Sequence, residues 1–244
     1  MKIIEVNDYQ EMSKQAADYI SNRVRKLPSL TLGLSTGGTP LGLYKNLIED
    51  YKENHTSYQK VKTFNLDEYV GLAQTNPNSY RYYMNDIFFN HINIDKSKTN
   101  IPRGDVDDVE REALDYEQLI ERSGGVDIQI LGIGSNGHIG FNEPGTSFDS
   151  KTHIVELATS TREANARFFN NLEEVPTRAI TMGIATIMKS KEILLLISGE
   201  SKKEALANLM FGEIHEGFPA SILRNHPAVT VIVDKAAIAE SKVH

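Results

Sequence analysis

Short apolar runs alternate with longer stretches whose apolar residues fall at helical spacing, from one end of this chain to the other. Lys2–Val6 reads as a strand. Asp8 to Lys26 reads as a helix, with Met12, Ala16, Tyr19, Ile20 and Val24 close to a 3.6-residue period before Pro28 ends it. Leu30–Leu34 is a second strand, followed by a Ser/Thr/Gly turn and a helix that opens near Pro40 and carries Tyr44, Leu47 and Ile48. Val61–Leu66 is a third strand, and Ser79 caps an aromatic-rich helix through Tyr80, Tyr83, Met84, Ile87 and Phe88. An acidic amphipathic helix spans Asp107 to Glu121 until Gly124-Gly125 stops it. Val126–Ile130, Glu192–Ser198 and Val229–Asp234 read as buried strands, and Thr152–Leu157 as a further one. Arg178–Met182 is too short to assign. Helices are expected over Thr161–Phe169, through Ala205, Leu206, Leu209 and Met210, and briefly at Pro219–Leu223. Strands separated by helices close as a parallel sheet with both faces covered. The expectation is a single Rossmann-like α/β domain over residues 1–244, a doubly wound, mostly parallel sheet with helices on both faces.

Composition narrows what such a domain can do. At 244 residues and 40% hydrophobic content the chain can bury a substantial core. It has no apolar run near eighteen residues, and its start lacks the basic-then-apolar pattern of a signal peptide, so the expectation is a cytoplasmic protein with no membrane partner. Zero cysteines exclude disulfides, thiolate metal sites and a cysteine nucleophile. A net charge of −7 with no Lys/Arg-rich face argues against nucleic acid. An anionic small substrate would need a local cationic pocket.

In an open parallel sheet ligands bind at the carboxyl ends of strands, which makes the residues after each strand the candidates for chemistry. After Val126–Ile130 comes the glycine-rich stretch Leu131 to Gly145, which holds Asn136, His138, Asn142 and Glu143 within eight residues. A turn closed by Pro144-Gly145 can curl Asn136, His138 and Glu143 together as a catalytic loop; the plainer alternative is a structural connection with a surface histidine. After Leu30–Leu34 comes Ser35-Thr36-Gly37-Gly38-Thr39-Pro40 and a helix start, an arrangement whose N–H groups and helix dipole can cup a phosphate. Thr39 could instead be a simple helix cap. The third strand ends directly in Asp67-Glu68-Tyr69, where a carboxylate in an apolar pocket can serve as a proton-abstracting base, or can merely cap a turn. After Glu192–Ser198, Lys202 near a helix start can neutralise an anion. A parallel sheet would gather all four turns at one rim. Glu68, His153 and Arg162 are polar residues whose reach is left open.

Thr36–Pro40, Phe64–Gly71, Gly134–Pro144, Asn165–Phe169 and Gly199–Lys202 together resemble the glucosamine-6-phosphate deaminase family, across nearly the whole chain. The Asp-Glu-Tyr and Gly-His-Ile-Gly-Phe-Asn-Glu blocks are specific, whereas the Thr-Gly-Gly-Thr turn is shared with phosphogluconolactonases. The resemblance implies conversion of glucosamine 6-phosphate and water to fructose 6-phosphate and ammonium, without metal or organic cofactor. It implies Asp67 as the base that moves the C2 proton, and His138, oriented by Asn136 and Glu143, as the ring-opening group. It gives the phosphate to Thr36, Gly37, Gly38, Thr39, Arg167 and Lys202. Many relatives carry Asp where this chain has Asn136, so a neutral amide partners the imidazole and its pKa is expected to be lower here. The chain ends soon after Val233, without the longer C-terminal segment of the hexameric, N-acetylglucosamine-6-phosphate-activated members, which points to a monomer. Competing readings are a phosphogluconolactonase-like hydrolase and a non-catalytic sugar-phosphate sensor.

Overall fold

The computed structural model describes residues 1–166 and 169–238. Its centre is a seven-stranded sheet in the order Lys2–Val6, Val229–Asp234, Glu192–Ile197, Ile128–Leu131, Thr31–Leu34, Lys62–Asn65 and Thr99–Asn100, with every neighbouring pair parallel. The elements follow in the chain as β1 (Lys2–Val6), α1 (Tyr9–Lys26), β2 (Thr31–Leu34), α2 (Leu41–Asn54), β3 (Lys62–Asn65), β4 (Asp67–Tyr69), α3 (Tyr80–Ile87) and β5 (Thr99–Asn100). They continue with α4 (Val109–Arg122), β6 (Ile128–Leu131), β7 (His153–Glu156), α5 (Thr159–Asn165), β8 (Arg178–Thr181), α6 (Ile184–Met188), β9 (Glu192–Ile197), α7 (Lys203–Phe211) and β10 (Val229–Asp234).

Alternate residues of the strands enter two separate cores, so both faces of the sheet are covered. Leu194, Leu196 and Ile232 pack with Met12 and Ala16 of α1 and with Leu43, Tyr44 and Leu47 of α2. Ile193, Leu195, Ile197, Val231 and Val233 pack on the other side with Tyr116 and Ile120 of α4 and Leu206 and Leu209 of α7. Strands buried on both faces have little room for polar residues, which is why β9 reads as the unbroken run EILLLI.

Helix ends follow local chemistry. The carboxylate of Asp8 accepts from the Glu11 N–H to cap α1, the Ser79 hydroxyl accepts from the Tyr82 N–H to cap α3, and Asp108 caps α4 from the Arg111 N–H. Thr39 does not cap α2: the residue before that helix is Pro40, and the first-turn N–H of Gly42 is taken instead by the Tyr9 hydroxyl.

The chain runs from β2 to β3 and β5 on one side, then crosses to β6, β9 and β10 on the other. β2 and β6 are therefore the neighbours at which the winding reverses, and the loops that follow them diverge to leave a crevice.

One part departs from the sequence reading. Asp67 does not lie in a turn after the third strand; Asp67–Tyr69 form β4, the edge of a three-stranded antiparallel sheet β4-β8-β7. The ambiguous Arg178–Met182 stretch supplies its central strand, and the Thr152–Leu157 run belongs to this sheet rather than the parallel one. Leu66 joins the two sheets, donating its N–H to Leu34 and accepting at its carbonyl from the Met182 N–H at 2.7 Å. The second sheet rests on strands of three or four residues, too short for a period to show, and β4 pairs with residues more than a hundred positions away.

Candidate active site

A cavity of about 390 Å³ opens at the crevice between β2 and β6. Its wall is built from Ser35–Pro40 after β2, Leu66 and Asp67 at the sheet junction, the loop from Gly132 through Phe141, Tyr80 of α3, Thr161 of α5, and Lys202. Three of the expected turns meet there, and the fourth stretch, at Asp67, reaches the same cavity from the start of β4. Glu143 stands behind the wall, bonded to residues that line it. Arg167 lies outside the described residues.

In the turn after β2, Gly37 takes φ +95°, a conformation that favours glycine, and no side chain projects from Gly37 or Gly38 into the cavity. With no cap supplied by the residue before α2, this turn offers unpaired N–H groups at the positive end of a helix. Lys202 faces it from the 3-10 turn Glu200–Lys202, and burial lowers the pKa of its ammonium. The pairing is suited to an anion and supplies the local positive charge that the chain lacks overall.

The loop after β6 curls back on itself through Gly134 N–H to the His138 carbonyl and Gly137 N–H to the Gly134 carbonyl. His138 lies against Gly134 so closely that a Cβ there would come 2.2 Å from the ring, so the imidazole's place depends on that glycine. The Asn136 amide donates from Nδ2 to Glu143 Oε2 at 2.7 Å, and Asn136 Oδ1 lies 2.8 Å from His138 Nδ1. Glu143 Oε2 is itself 3.7 Å from that nitrogen, and Glu143 Oε1 accepts from the Thr161 hydroxyl at 2.7 Å. An ionised carboxylate only accepts, so it fixes the amide with Nδ2 outward and Oδ1 towards the ring; an amide oxygen also only accepts, so Nδ1 carries the proton. The lone pair of neutral His138 is left on Nε2. Burial lowers the imidazole pKa, with the Lys202 charge adding to the effect and Glu143 opposing it.

Asp67 is 7% exposed, and its carboxyl is pushed up to about 8, mainly by burial and further by the charge of Glu68. Glu68 is buried too but faces away, accepting from the N–H groups of Tyr69, Tyr80 and Arg81 at 2.9 Å each. Burial raises Glu68 to about 7 against the pull of those three bonds. Three donors at a helix N-terminus require an acceptor, so Glu68 holds the negative charge of the pair and Asp67 the higher pKa. Asp67 also sits against Gly140, where a Cβ would lie 3.6 Å from its Oδ2, so it shares a wall with the His138 loop.

Of the residues left open by the sequence, Glu68 anchors α3, His153 bonds at Nδ1 to the Lys151 carbonyl, and Arg162 donates to the carbonyls of Leu172 and Val175. None lines the cavity. Sequence reasoning missed Thr161 and Tyr80: Thr161 reaches Glu143 only through tertiary folding, and Tyr80 looked like one more apolar residue of an aromatic stripe. Among the described residues no group of three or more His, Asp or Glu side chains is placed to hold a metal ion. Among them, too, no helix is long and apolar enough to cross a membrane.

A glycine-rich turn and a lysine at the switch point of a parallel sheet, with an imidazole and a high-pKa carboxyl on the same cavity, are a set of groups suited to an α/β enzyme working by acid–base chemistry on a small anion. Residues 7–232 match the family of glucosamine-6-phosphate isomerases/6-phosphogluconolactonase, and the chain belongs to that family, whose substrates are sugar phosphates. It is 59% identical to the glucosamine-6-phosphate deaminase of Geobacillus sp. (strain WCH70), over 98% of this chain and 95% of that protein. With the glucosamine-6-phosphate deaminase of Shouchella clausii (strain KSM-K16) it shares 57% identity over the full length of both. A solved structure of a monomeric glucosamine-6-phosphate deaminase superposes with a TM-score of 0.96 at 53% identity, covering 97% of this chain and 98% of that one. The 6-phosphogluconolactonase of Trypanosoma brucei, at 18% identity and a TM-score of 0.77 over 97% of each chain, shares the fold.

Proposed function

We propose that this chain converts glucosamine 6-phosphate and water to fructose 6-phosphate and ammonium. The observation that carries the reading is the buried, high-pKa carboxyl of Asp67 on the same cavity wall as an imidazole whose free nitrogen is Nε2. The phosphate rests on the N–H groups and hydroxyls of Thr36, Gly37, Gly38 and Thr39, with Lys202 and Arg167 supplying charge. His138 Nε2 takes the proton of the anomeric hydroxyl and returns it to the ring oxygen as the C1–O5 bond breaks, which unmasks the aldehyde. Asn136 and Glu143 hold the ring for this step and stabilise the imidazolium.

The aldehyde acidifies the C2 proton, which Asp67 removes while one proton of the C2 ammonium passes to the C1 oxygen, giving an enolamine spanning C1 and C2. A carboxyl near 8 is a strong base once ionised, and the substrate's C2 ammonium beside it favours ionisation. Asp67 then returns the proton to C1, the nitrogen is left as an iminium at C2, and addition of water there expels ammonia and leaves the ketone. Lactone hydrolysis would not use a carboxyl placed to move a carbon-bound proton, and a sensor would need neither group. We further infer that residues 1–244 act as one catalytic unit, as a monomer and in the cytoplasm; the monomeric relative supports the second of these.

The test is incubation with glucosamine 6-phosphate while ammonium and fructose 6-phosphate are both measured. One of each per substrate consumed is expected. Binding without either product would reject the assignment, and acid release from 6-phosphogluconolactone in their place would favour the hydrolase.

A further inference from the structure

The turn proposed to hold the phosphate has an unexplained requirement. Glycines let an anion approach the backbone, but they also let the peptide units beside them rotate at little cost. A rotated unit would turn a carbonyl oxygen towards the anion where an N–H is needed. Among the described residues, the N–H groups of Thr36, Gly37, Gly38 and Thr39 donate no hydrogen bond to the protein, and on the cavity side the turn is held only at the Thr36 side chain, which bonds with Tyr80.

The carbonyls are fixed from behind. The Tyr44 hydroxyl donates to the Ser35 carbonyl at 2.6 Å, and the Tyr83 hydroxyl to the Gly37 carbonyl at 2.7 Å. The Tyr9 hydroxyl shares its proton between the carbonyls of Gly38 and Thr39, at 3.0 and 3.2 Å, and accepts from the Gly42 N–H at 2.9 Å. Three phenols from three helices, α1, α2 and α3, thus meet a run of five residues. None of them lines the cavity; Tyr83 instead lines a separate cleft on the far side of Gly37 and Gly38. We propose that Tyr9, Tyr44 and Tyr83 are positioning residues for phosphate recognition, holding the carbonyl oxygens of the turn away from the cavity so that its N–H groups face the anion. The proposal rests on the assignment of residues 36–39 to the phosphate. A phenol suits the task, because its ring packs in the core while its hydroxyl reaches a carbonyl at the core's edge.

Tyr9→Phe and Tyr83→Phe test this with little risk to folding, since both side chains are only partly buried and phenylalanine keeps the ring. The KM for glucosamine 6-phosphate should rise roughly fivefold in each variant, as for loss of one hydrogen bond, and more in the double variant. The inhibition constant of inorganic phosphate should rise in parallel. Turnover number, and kcat/KM for glucosamine without its phosphate, should stay within about twofold, which a general loosening of the fold would not allow. An unchanged phosphate inhibition constant, or an equal fall in kcat/KM for both sugars, overturns the positioning role. If the unaltered protein neither prefers the phosphorylated sugar nor is inhibited by phosphate, the phosphate assignment fails and the proposal fails with it.

Discussion

Asp67 is where stability and the proposed chemistry pull in opposite directions. An aspartate titrates near 3.9 in an unfolded chain, and burial moves Asp67 to about 8 here. Between those values the folded protein binds more protons than the unfolded one, so this residue's contribution falls as pH rises through the window and is lost above about 8. Asparagine imitates the protonated form. Asp67→Asn should therefore melt higher than the unaltered protein at pH 7–8, with the gap closing as pH approaches 4, while kcat falls by roughly 10²–10⁴-fold. Thermal melts across that range, beside the coupled ammonium assay, check both; a variant that melts lower at pH 7–8 would show that burial does not raise the carboxyl. At His138 the partner is an amide where a carboxylate would supply charge. Asn136→Asp adds negative charge at Nδ1 and should raise the imidazole pKa. NMR titration of the His138 ring reads this directly, and an unchanged or lower value would contradict it.

At the scale of elements, what the sequence disclosed depended on length and locality. The parallel strands and the helices between them were legible because each carries its own period or an unbroken apolar run, and the turns after β2, β6 and β9 could be placed at one rim from that order alone. The antiparallel sheet was not legible. Asp67–Tyr69 is three residues long and pairs with residues 179–181, so its charged Asp-Glu start looked like a turn. The tyrosines behind the anion turn were hidden for a related reason: Tyr9, Tyr44 and Tyr83 each fit an apolar helical stripe, and nothing in a stripe tells which hydroxyl finds a carbonyl. Glu68 shows what such an unseen contact does for an element. Its carboxylate satisfies three N–H groups, two of them in the first turn of α3, so it fixes that helix and brings Tyr80 to the cavity. Glu68→Gln keeps one acceptor oxygen and removes the charge. Loss of about 1–3 kcal/mol is expected, lowering Tm by roughly 2–12 °C in a chain of this size. Because the Glu68 charge helps to raise Asp67, the acid limb of the kcat/KM profile should also move to lower pH. A stationary limb would separate the helix-anchoring role from any electrostatic one.

At the scale of the whole molecule, the cavity is a place where distant parts of the chain meet. The β2 turn, the sheet junction, the β6 loop and the turn carrying Lys202 each belong to a different strand, and two of them reach the site from opposite sides of the β2–β6 switch point. An anion that touches the first and the last of these binds only the folded arrangement, and it must raise stability by mass action. Inorganic phosphate at a hundred times its dissociation constant should add about 2.7 kcal/mol, which corresponds to a rise in Tm of roughly 5–11 °C for a chain of this length. The rise should grow with the logarithm of phosphate concentration. Sodium chloride at equal ionic strength should not reproduce it, since general screening acts on every exposed charge and has no saturable site. Lys202→Ala should remove most of the shift without lowering Tm in phosphate-free buffer, because burial already disfavours that ammonium in the empty cavity and its loss costs the apo fold little. A phosphate response that survives in the lysine variant would place the anion elsewhere on the molecule.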